Sequence, residues 1–533
     1  MYKILIVLLL PCWCYAQQAD CDILIRNGKI IDGTGNSWWY GDVAIKDGHI
    51  IRVGKDLSFR SVKTVDANRQ IVAPGFIDVH THIEDDEVRD PLASSFIYDG
   101  VTTVITGNCG LSKVNIGNYL SLIDTLRLSI NVAALIGHND VRKAVMGTAN
   151  RTASAVEQQQ MEKLVEEAMV DGAVGMSTGL IYIPGTYAAT PEVVGLARVV
   201  AKYNGVYASH IRDEGDKVAE AIEEALHIGQ EAALPVQISH FKLSGQQNWG
   251  RSRETVAMIE KARREGLEVT IDQYPYTASS TAISTLLPDH ILADGLDSVM
   301  ARLLRPGDKK QAIDYMLMRL KKRKLKHFSY AVVAYHKADT TYNGKSIEQI
   351  NLMKGRKHKA KQEAETVIDI MLNGGASAVF HGMGDEDVKR IMQYPFNMFA
   401  SDASIRVFNE GVPHPRGYGT NARVLGKYVR EEKVISLEEA IRRMTSLPAQ
   451  KFQLQGRGLI REGMIADIVV FDPDTVTDLA TFEKPHAYSK GFSHVVVNGQ
   501  LTVMDGKHTG VRNGKPLYGP GKTDASLQQD DGL

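Results

Sequence analysis

Cysteine is scarce in this 533-residue chain: there are four, and two of them, Cys12 and Cys14, fall within the first sixteen residues. The other two, Cys21 and Cys109, cannot staple a chain of this size, so a disulfide framework is excluded. An excess of charge of either sign is also lacking, since 62 Lys and Arg face 63 Asp and Glu. No general basic field attracts nucleic acid and no acidic tail is present, which leaves small-molecule chemistry as the better fit. Long hydrophobic runs are missing too. The apolar stretch from Ile4 to Leu10 is too short to cross a membrane as a helix, and no membrane span is expected.

That stretch instead reads as part of an export signal over residues 1–16, with Lys3 before it and the small Ala16 at its end. The mature protein is then expected in the periplasm or secreted, starting near Gln17, with lipid attachment at Cys12 as the alternative. Cys21 lies at the mature terminus. Cys109, in Thr106-Gly107-Asn108-Cys109-Gly110 at the end of a β-branched run, is the cysteine placed for chemistry.

From Asp22 to Val72, short apolar runs alternate with turn pairs such as Asp32-Gly33 and Asp47-Gly48, and the same texture returns in Ile468–Phe471, Val495–Gly499 and Asp505-Gly506. Both ends read as all-β and are expected to form one small sandwich, over 22–73 and 454–525. The intervening 74–453 alternates strands and helices. Strand-like runs at Thr102–Thr106, Val132–Ile136, Ala173–Ser177, Val206–His210, Pro235–His240 and Glu268–Tyr274 join those before His80 and at Asn397–Ser401. Helical spacing is clearest at Glu157–Val170 and Val218–Ala233. Eight strands predict an α/β fold, a (β/α)8 TIM-like barrel inserted in the terminal sandwich, with its active site at the C-terminal strand ends. A Rossmann-like sheet is disfavoured because no Gly-x-Gly-x-x-Gly turn follows the first strand. A basic helical interval, about 286–376, replaces a short connection and reads as a lid or a surface decoration. The run Ala378–His381 after it has no place among the eight.

The chemistry-bearing residues sit at those strand ends. Pro74-Gly75-Phe76-Ile77-Asp78-Val79-His80-Thr81-His82 ends an apolar run with two imidazoles two positions apart, so an extended chain presents both on one side. Cys109, His210, His240 and Asp402 close four more runs. Each alone has an ordinary structural reading, but six at the converging ends of one barrel point to a metal. Imidazole and thiolate suit zinc, and a thiolate can bridge two ions, which makes Cys109 the natural bridge. Asp402 can both ligate metal and take a proton from water, then pass it to a leaving amine.

With these residues and the blocks Gly107-Asn108-Cys109-Gly110, Gly175-Met176-Ser177-Thr178-Gly179-Leu180, Asp272-Gln273-Tyr274-Pro275-Tyr276 and His414-Pro415-Arg416, the chain resembles the amidohydrolase superfamily, and within it the D-aminoacylase (N-acyl-D-amino-acid deacylase) family. The resemblance implies one tightly held zinc on Cys109, His210 and His240, and a second, weaker position on His80, His82, Cys109 and Asp402. It implies that Arg416 and Lys242 hold the substrate carboxylate. A tyrosine of Tyr274-Pro275-Tyr276 would donate to the developing oxyanion, with Tyr274 preferred, Tyr276 taken as substrate-binding and Tyr182 lining the acyl pocket. Phe241 and Ala403 stand where the family often has a histidine and a glycine. That leaves the preferred substrate open, while Asp213 and Glu214 are candidate acids behind the ligands. The implied reaction is hydrolysis of an N-acyl-D-amino acid to a carboxylate and a free D-amino acid. The alternatives are a dipeptidase for D-residue dipeptides, a hydantoinase-type cyclic amidase and a catalytically silent binding protein. Oligomeric state is not set by any of these residues.

Overall fold

A computed structural model describes residues 20–522. The segment read as an export signal, with Cys12 and Cys14, lies outside these residues. Eight parallel strands run in chain order around a barrel: Phe76–Asp78, Val101–Thr106, Asn131–Gly137, Gly175–Gly179, Val206–His210, Val236–Ile238, Val269–Gln273 and Asn397–Phe399. They are buried along their whole length, which is why they do not show the apolar–polar alternation of a half-exposed strand. The seam between the first and last strands closes just past their C-terminal ends, where the Asp402 amide donates to His80 O and the His82 amide to Ala403 O, both at 2.9 Å.

The helices between strands form for local reasons. Ala155–Asp171 starts in a capping box, with the Ser154 side chain taking the Glu157 amide and the Glu157 side chain returning to Ser154, and it ends at Gly172. Val218–Ala232 buries Ala221, Ile222, Ala225, Ile228 and Gly229, the three-and-four spacing of one face. At Gly229 a Cβ would sit 2.2 Å from Val236 Cγ2, so only glycine lets this helix lie so close to the sixth strand.

The two chain ends share one nine-stranded sheet. Its halves join where Ile71–Pro74 pairs antiparallel with Ile468–Phe471. Phe76, from the first barrel strand, packs edge-to-face on Phe471 and Phe492 of this sheet, with centroids 6.3 and 6.0 Å apart, and this apolar contact ties sheet to barrel.

The basic interval folds as a lobe with its own core, including Leu303, Met316, Phe328, Val333, Ile350 and Ile368. Its boundaries reach beyond the expected 286–376, because the lobe begins with the strand Ala278–Ala282 and ends with Ser377–His381. The latter is the middle strand of a three-stranded antiparallel sheet completed by Ala331–Tyr335. The run that had no place among the eight is therefore the lobe's central strand.

Candidate metal centre

The closed seam sets the site. Because the His80 carbonyl and the His82 amide both bond across to 402–403, the His80 and His82 side chains are brought against Asp402, with Nε2 to Oδ1 distances of 3.6 and 3.3 Å. Strand two contributes Cys109 through a tight turn at Gly107, where φ is +79° and a Cβ would fall 2.1 Å from Leu135 O. The Ser177 hydroxyl fixes that turn, donating to Gly107 O at 2.5 Å and accepting the Gly110 amide at 2.9 Å. Cys109 Sγ then lies 3.3 Å from His80 Nε2, 3.4 Å from His210 Nδ1 and 3.5 Å from His240 Nε2. His210 and His240, from strands five and six, approach to 2.7 Å.

All six residues expected as ligands therefore meet at one place, buried except for the half-buried His82. His80 is shared, facing both the thiol and Asp402. Cys109, His240 and Asp402 adopt φ of +54°, +36° and +50°, left-handed values that non-glycine residues rarely take. Backbone strain of about 1–3 kcal/mol per residue gathers at ligands and active sites in this way.

The electrostatics match the donor set. Burial alone would raise the Cys109 thiol, but His80, His210 and His240 outweigh it and hold the thiol well below its usual range. Burial would likewise raise Asp402, yet Arg416 and His80 hold it well below the usual carboxylate range. In turn, burial opposes protonation of His80, but Cys109 and Asp272 lift it well above the usual value. His82, pulled mainly by Asp402 against its own burial, rises to about 9. The thiolate and carboxylate thus draw positive charge onto the imidazoles facing them, a role that a divalent cation would take over. Sulfur and imidazole donors fit zinc, and His80 Nδ1 and His210 Nε2 are buried without a hydrogen-bond partner among the described residues.

Acids behind the ligands orient them. Asp272 Oδ1 accepts the His240 amide at 2.7 Å and lies 3.6 Å from His80 Nδ1, while its Oδ2 accepts from Gln237 at 2.6 Å. Asp78 accepts the His80 and Ser401 amides at 3.1 Å, and its burial pushes its carboxyl up to about 6. Glu214 lies 3.0 Å from His240 Nδ1 and is bonded to Lys242. Glu214 is visible in the sequence without its partner, and neither Asp78 nor Asp272 is marked there for a role. The one signal in the chain was their position at or beside strand ends.

The expected substrate-binding residues divide. Arg416 pairs with Asp402 Oδ2 at 2.9 Å and lies over the Tyr274 ring at 4.5 Å. Lys242, besides Glu214, contacts His240 Nδ1 at 2.9 Å and sits 5.6 Å from the same ring. Tyr182 is half-buried, 4.7 Å from the His210 ring, and its hydroxyl meets Thr281 Oγ1 of the lobe at 3.1 Å. Burial pushes the Tyr274 hydroxyl up to about 12, so it stays a donor at neutral pH. The seventh strand ends at Gln273, and the Tyr276 amide bonds back to Tyr274 O at 2.9 Å in a three-residue turn. The Tyr274 and Tyr276 rings both stand edge-on to His414, at 6.0 and 5.1 Å, and Tyr276 also packs on Phe482, under Arg423.

Comparison with known proteins gives a consistent result. The amidohydrolase family pattern matches residues 63–503. A D-aminoacylase of Alcaligenes xylosoxydans xylosoxydans is 34% identical, covering 93% of this chain and 97% of its own. An N-acyl-D-glutamate deacylase of the same organism is 35% identical, with 91% and 94% covered. The crystal structure of N-acyl-D-glutamate deacylase from Bordetella bronchiseptica, complexed with zinc and a phosphonate mimic of the tetrahedral intermediate, is also similar. It is 35% identical with a TM-score of 0.79, over 93% of this chain and 99% of that one.

Proposed function

The chain belongs to the amidohydrolase family, and from that premise we propose that it hydrolyses the amide bond of N-acyl-D-amino acids, releasing a carboxylate and the free D-amino acid. The observation that carries this reading is the meeting of Cys109, three buried histidines and Asp402 beside a protonated Tyr274 and a buried Arg416. Cys109, His210 and His240 would hold the principal zinc, with His80, His82 and Asp402 completing a second, weaker position around the same thiolate. Zinc bound there supplies Lewis acidity that polarises the acyl carbonyl and activates water.

The protein's own groups do the rest. Asp402 takes the proton of the attacking water and returns it to the amine nitrogen as the C–N bond breaks. Its pairing with Arg416 keeps it ionised for the first step. Tyr274 donates to the oxygen on which negative charge develops. Arg416 offers a planar fork to the substrate's free carboxylate and Lys242 adds charge beside it. Tyr182, tied to the lobe, forms a wall next to His210. Export through residues 1–16 is part of the proposal; N-terminal sequencing of the mature protein and cell fractionation test it.

The decisive experiment is a panel of N-acyl-D-amino acids, their L-enantiomers, D-residue dipeptides and hydantoins, assayed beside zinc analysis. Turnover confined to the N-acyl-D series is expected. Equal rates on both enantiomers would overturn the stereochemical reading, and faster dipeptide or hydantoin cleavage would reassign the substrate.

A further inference from the structure

A second group of metal-type donors lies in the insertion lobe, away from the barrel mouth. His327 follows the helix Pro306–Lys322, Glu348 stands on Ile347–Met353, His358 on the loop after it, and Glu363 in the first turn of Ala360–Leu372. One donor atom from each falls within 4.8 Å of every other. His327 Nδ1 is 2.6 Å from Glu363 Oε1 and His358 Nε2 is 2.5 Å from Glu348 Oε1, while His327 Nδ1 and Glu348 Oε1 are 3.9 Å apart.

Each donor is held in place. A capping box of Ser346 and Gln349 starts the helix of Glu348. Asn351 fixes the loop of His358 by donating to Lys357 O at 3.0 Å, and Arg356 ties that loop to the helix of Glu363 through Thr366 and Asp369 at 2.9 and 2.7 Å. Glu363 is fully buried on a helix that otherwise packs Ala364, Val367, Ile368 and Met371 into the lobe core. Its Oε2 accepts the Phe328 amide at 2.7 Å, which leaves Oε1 aimed at His327.

The two imidazoles stack nearly parallel, with centroids 3.9 Å apart and planes at 20°. Each presents a ring nitrogen to a carboxylate, and the two histidines are the charged-type partners of Glu348 and Glu363 within 4.0 Å among the described residues. Two imidazoles and two carboxylates make up a complete four-donor set of the kind zinc takes in tetrahedral sites.

We infer that His327, Glu348, His358 and Glu363 form a zinc site in the insertion lobe, separate from the centre at the barrel mouth. Zinc to N and O bonds of about 2.0–2.2 Å set tetrahedral donors roughly 3.4 Å apart. The close pairs open by about 0.8–0.9 Å and the 3.9 Å pair contracts by about 0.5 Å to reach that spacing, a movement available to the half-exposed His358 and the partly exposed His327 and Glu348. The ion cross-links four successive segments of the lobe. The strand Ala278–Ala282 of that lobe carries Thr281 and Ser280, which touch Tyr182 and Arg416.

The test is zinc counting on the full-length protein, stripped with chelator and titrated with Zn2+ alone. The variants are the single substitution His358→Ala, whose half-exposed side chain can be removed without opening the core, and the double His358→Ala/Glu348→Gln. Both are expected to bind one equivalent fewer than the parent and to retain turnover within about twofold. A Cys109→Ser chain, crippled at the barrel mouth, is expected to keep the lobe equivalent, and Zn2+ is expected to slow hydrogen exchange over 326–372 in it but not after His358→Ala is added. Equal zinc counts in parent and His358→Ala, or exchange in the lobe indifferent to Zn2+, would overturn the inference. The count does not depend on which substrate the barrel hydrolyses, so failure of the deacylase reading leaves it intact.

Discussion

Removing one oxygen atom, in Tyr274→Phe, tests the proposed chemistry with little disturbance to the fold. The ring is buried between Arg416 at 4.5 Å and Lys242 at 5.6 Å, and phenylalanine keeps both contacts. The hydroxyl's hydrogen-bond partner among the described residues is Met383 Sδ at 3.9 Å, a weak acceptor, so the fold loses at most about 0.5–1.5 kcal/mol. Catalysis loses more. Burial holds the hydroxyl at about 12, so at neutral pH it is fully protonated and donates to an oxyanion that exists only in the transition state. Loss of such a donor costs about 2.7–4 kcal/mol, or roughly 100- to 1000-fold in kcat. Because the ground-state carbonyl is not the target, KM changes by less than about threefold. The assay is steady-state kinetics on an N-acyl-D-amino acid, with zinc content and melting temperature measured on the same preparation. Tyr276→Phe is the control, since its ring packs on His414 and Phe482 and its kcat stays at the parental value. A Tyr274→Phe enzyme with full zinc and a kcat within threefold of the parent would refute the role, and a matching loss in Tyr276→Phe would refute the assignment between the two.

Arg416→Lys keeps the charge but loses the fork, so KM should rise about 10- to 100-fold, the 1.5–3 kcal/mol of a charged hydrogen bond; an unchanged KM across the N-acyl-D panel would remove Arg416 from substrate binding. Glu87 is fully buried, and burial pushes its carboxyl up from 4.5 to about 7. The folded state therefore keeps a proton that the unfolded chain releases, a stabilisation complete below pH 4.5 and lost as pH rises through 7. Glu87→Gln cannot ionise, so its stability relative to the parent should climb between pH 4.5 and 8 by about 1–3 kcal/mol, read by urea unfolding at each pH; a flat difference would contradict the burial argument. Phe471→Ala empties the contact between the terminal sheet and the barrel and should cost about 3–5 kcal/mol, seen as a lower urea midpoint with the zinc count unchanged.

Residues buried on both faces of a parallel strand are mostly apolar or small, so the barrel strands stand out as short runs bounded by His, Cys, Asp or a turn, while polar residues such as Thr103, Gln237 and Asp272 are buried within them. Their limits were less legible. The fourth reads as Ala173–Ser177 but pairs as Gly175–Gly179, because burial and hydrogen bonding do not start at the same residue. The lobe's sheet was hidden for a different reason. Its first strand, Ala278-Ser279-Ser280-Thr281-Ala282, carries no apolar alternation, and its partner Ser377–His381 comes about a hundred residues later. The six candidate ligands were visible because each closes an apolar run. Asp272 acts through Gln237 and His240, distant in sequence, and Glu214 through His240 and Lys242, so spacing held no sign of those partners, whereas Asp78 takes the amide of His80 two residues on as well as that of Ser401.

Cys109, His240 and Asp402, three of the converging donors, take positive φ values just past their strands. An extended chain would send successive side chains to alternate faces, whereas a left-handed step at the ligand turns the chain there and breaks that alternation. Three such residues, at about 1–3 kcal/mol each, are an appreciable part of a net folding stability of about 5–15 kcal/mol. Hydrogen bonds to the same backbone hold these steps: Asp272 takes the His240 amide, His80 O takes the Asp402 amide, and Ser177 clamps the glycines on both sides of Cys109. Each clamp thus fixes a ligand's backbone rather than its side chain, so removing one would loosen the aim of a donor without deleting it. Asp272, which also faces His80, holds two ligands at once and is where such loosening would spread furthest.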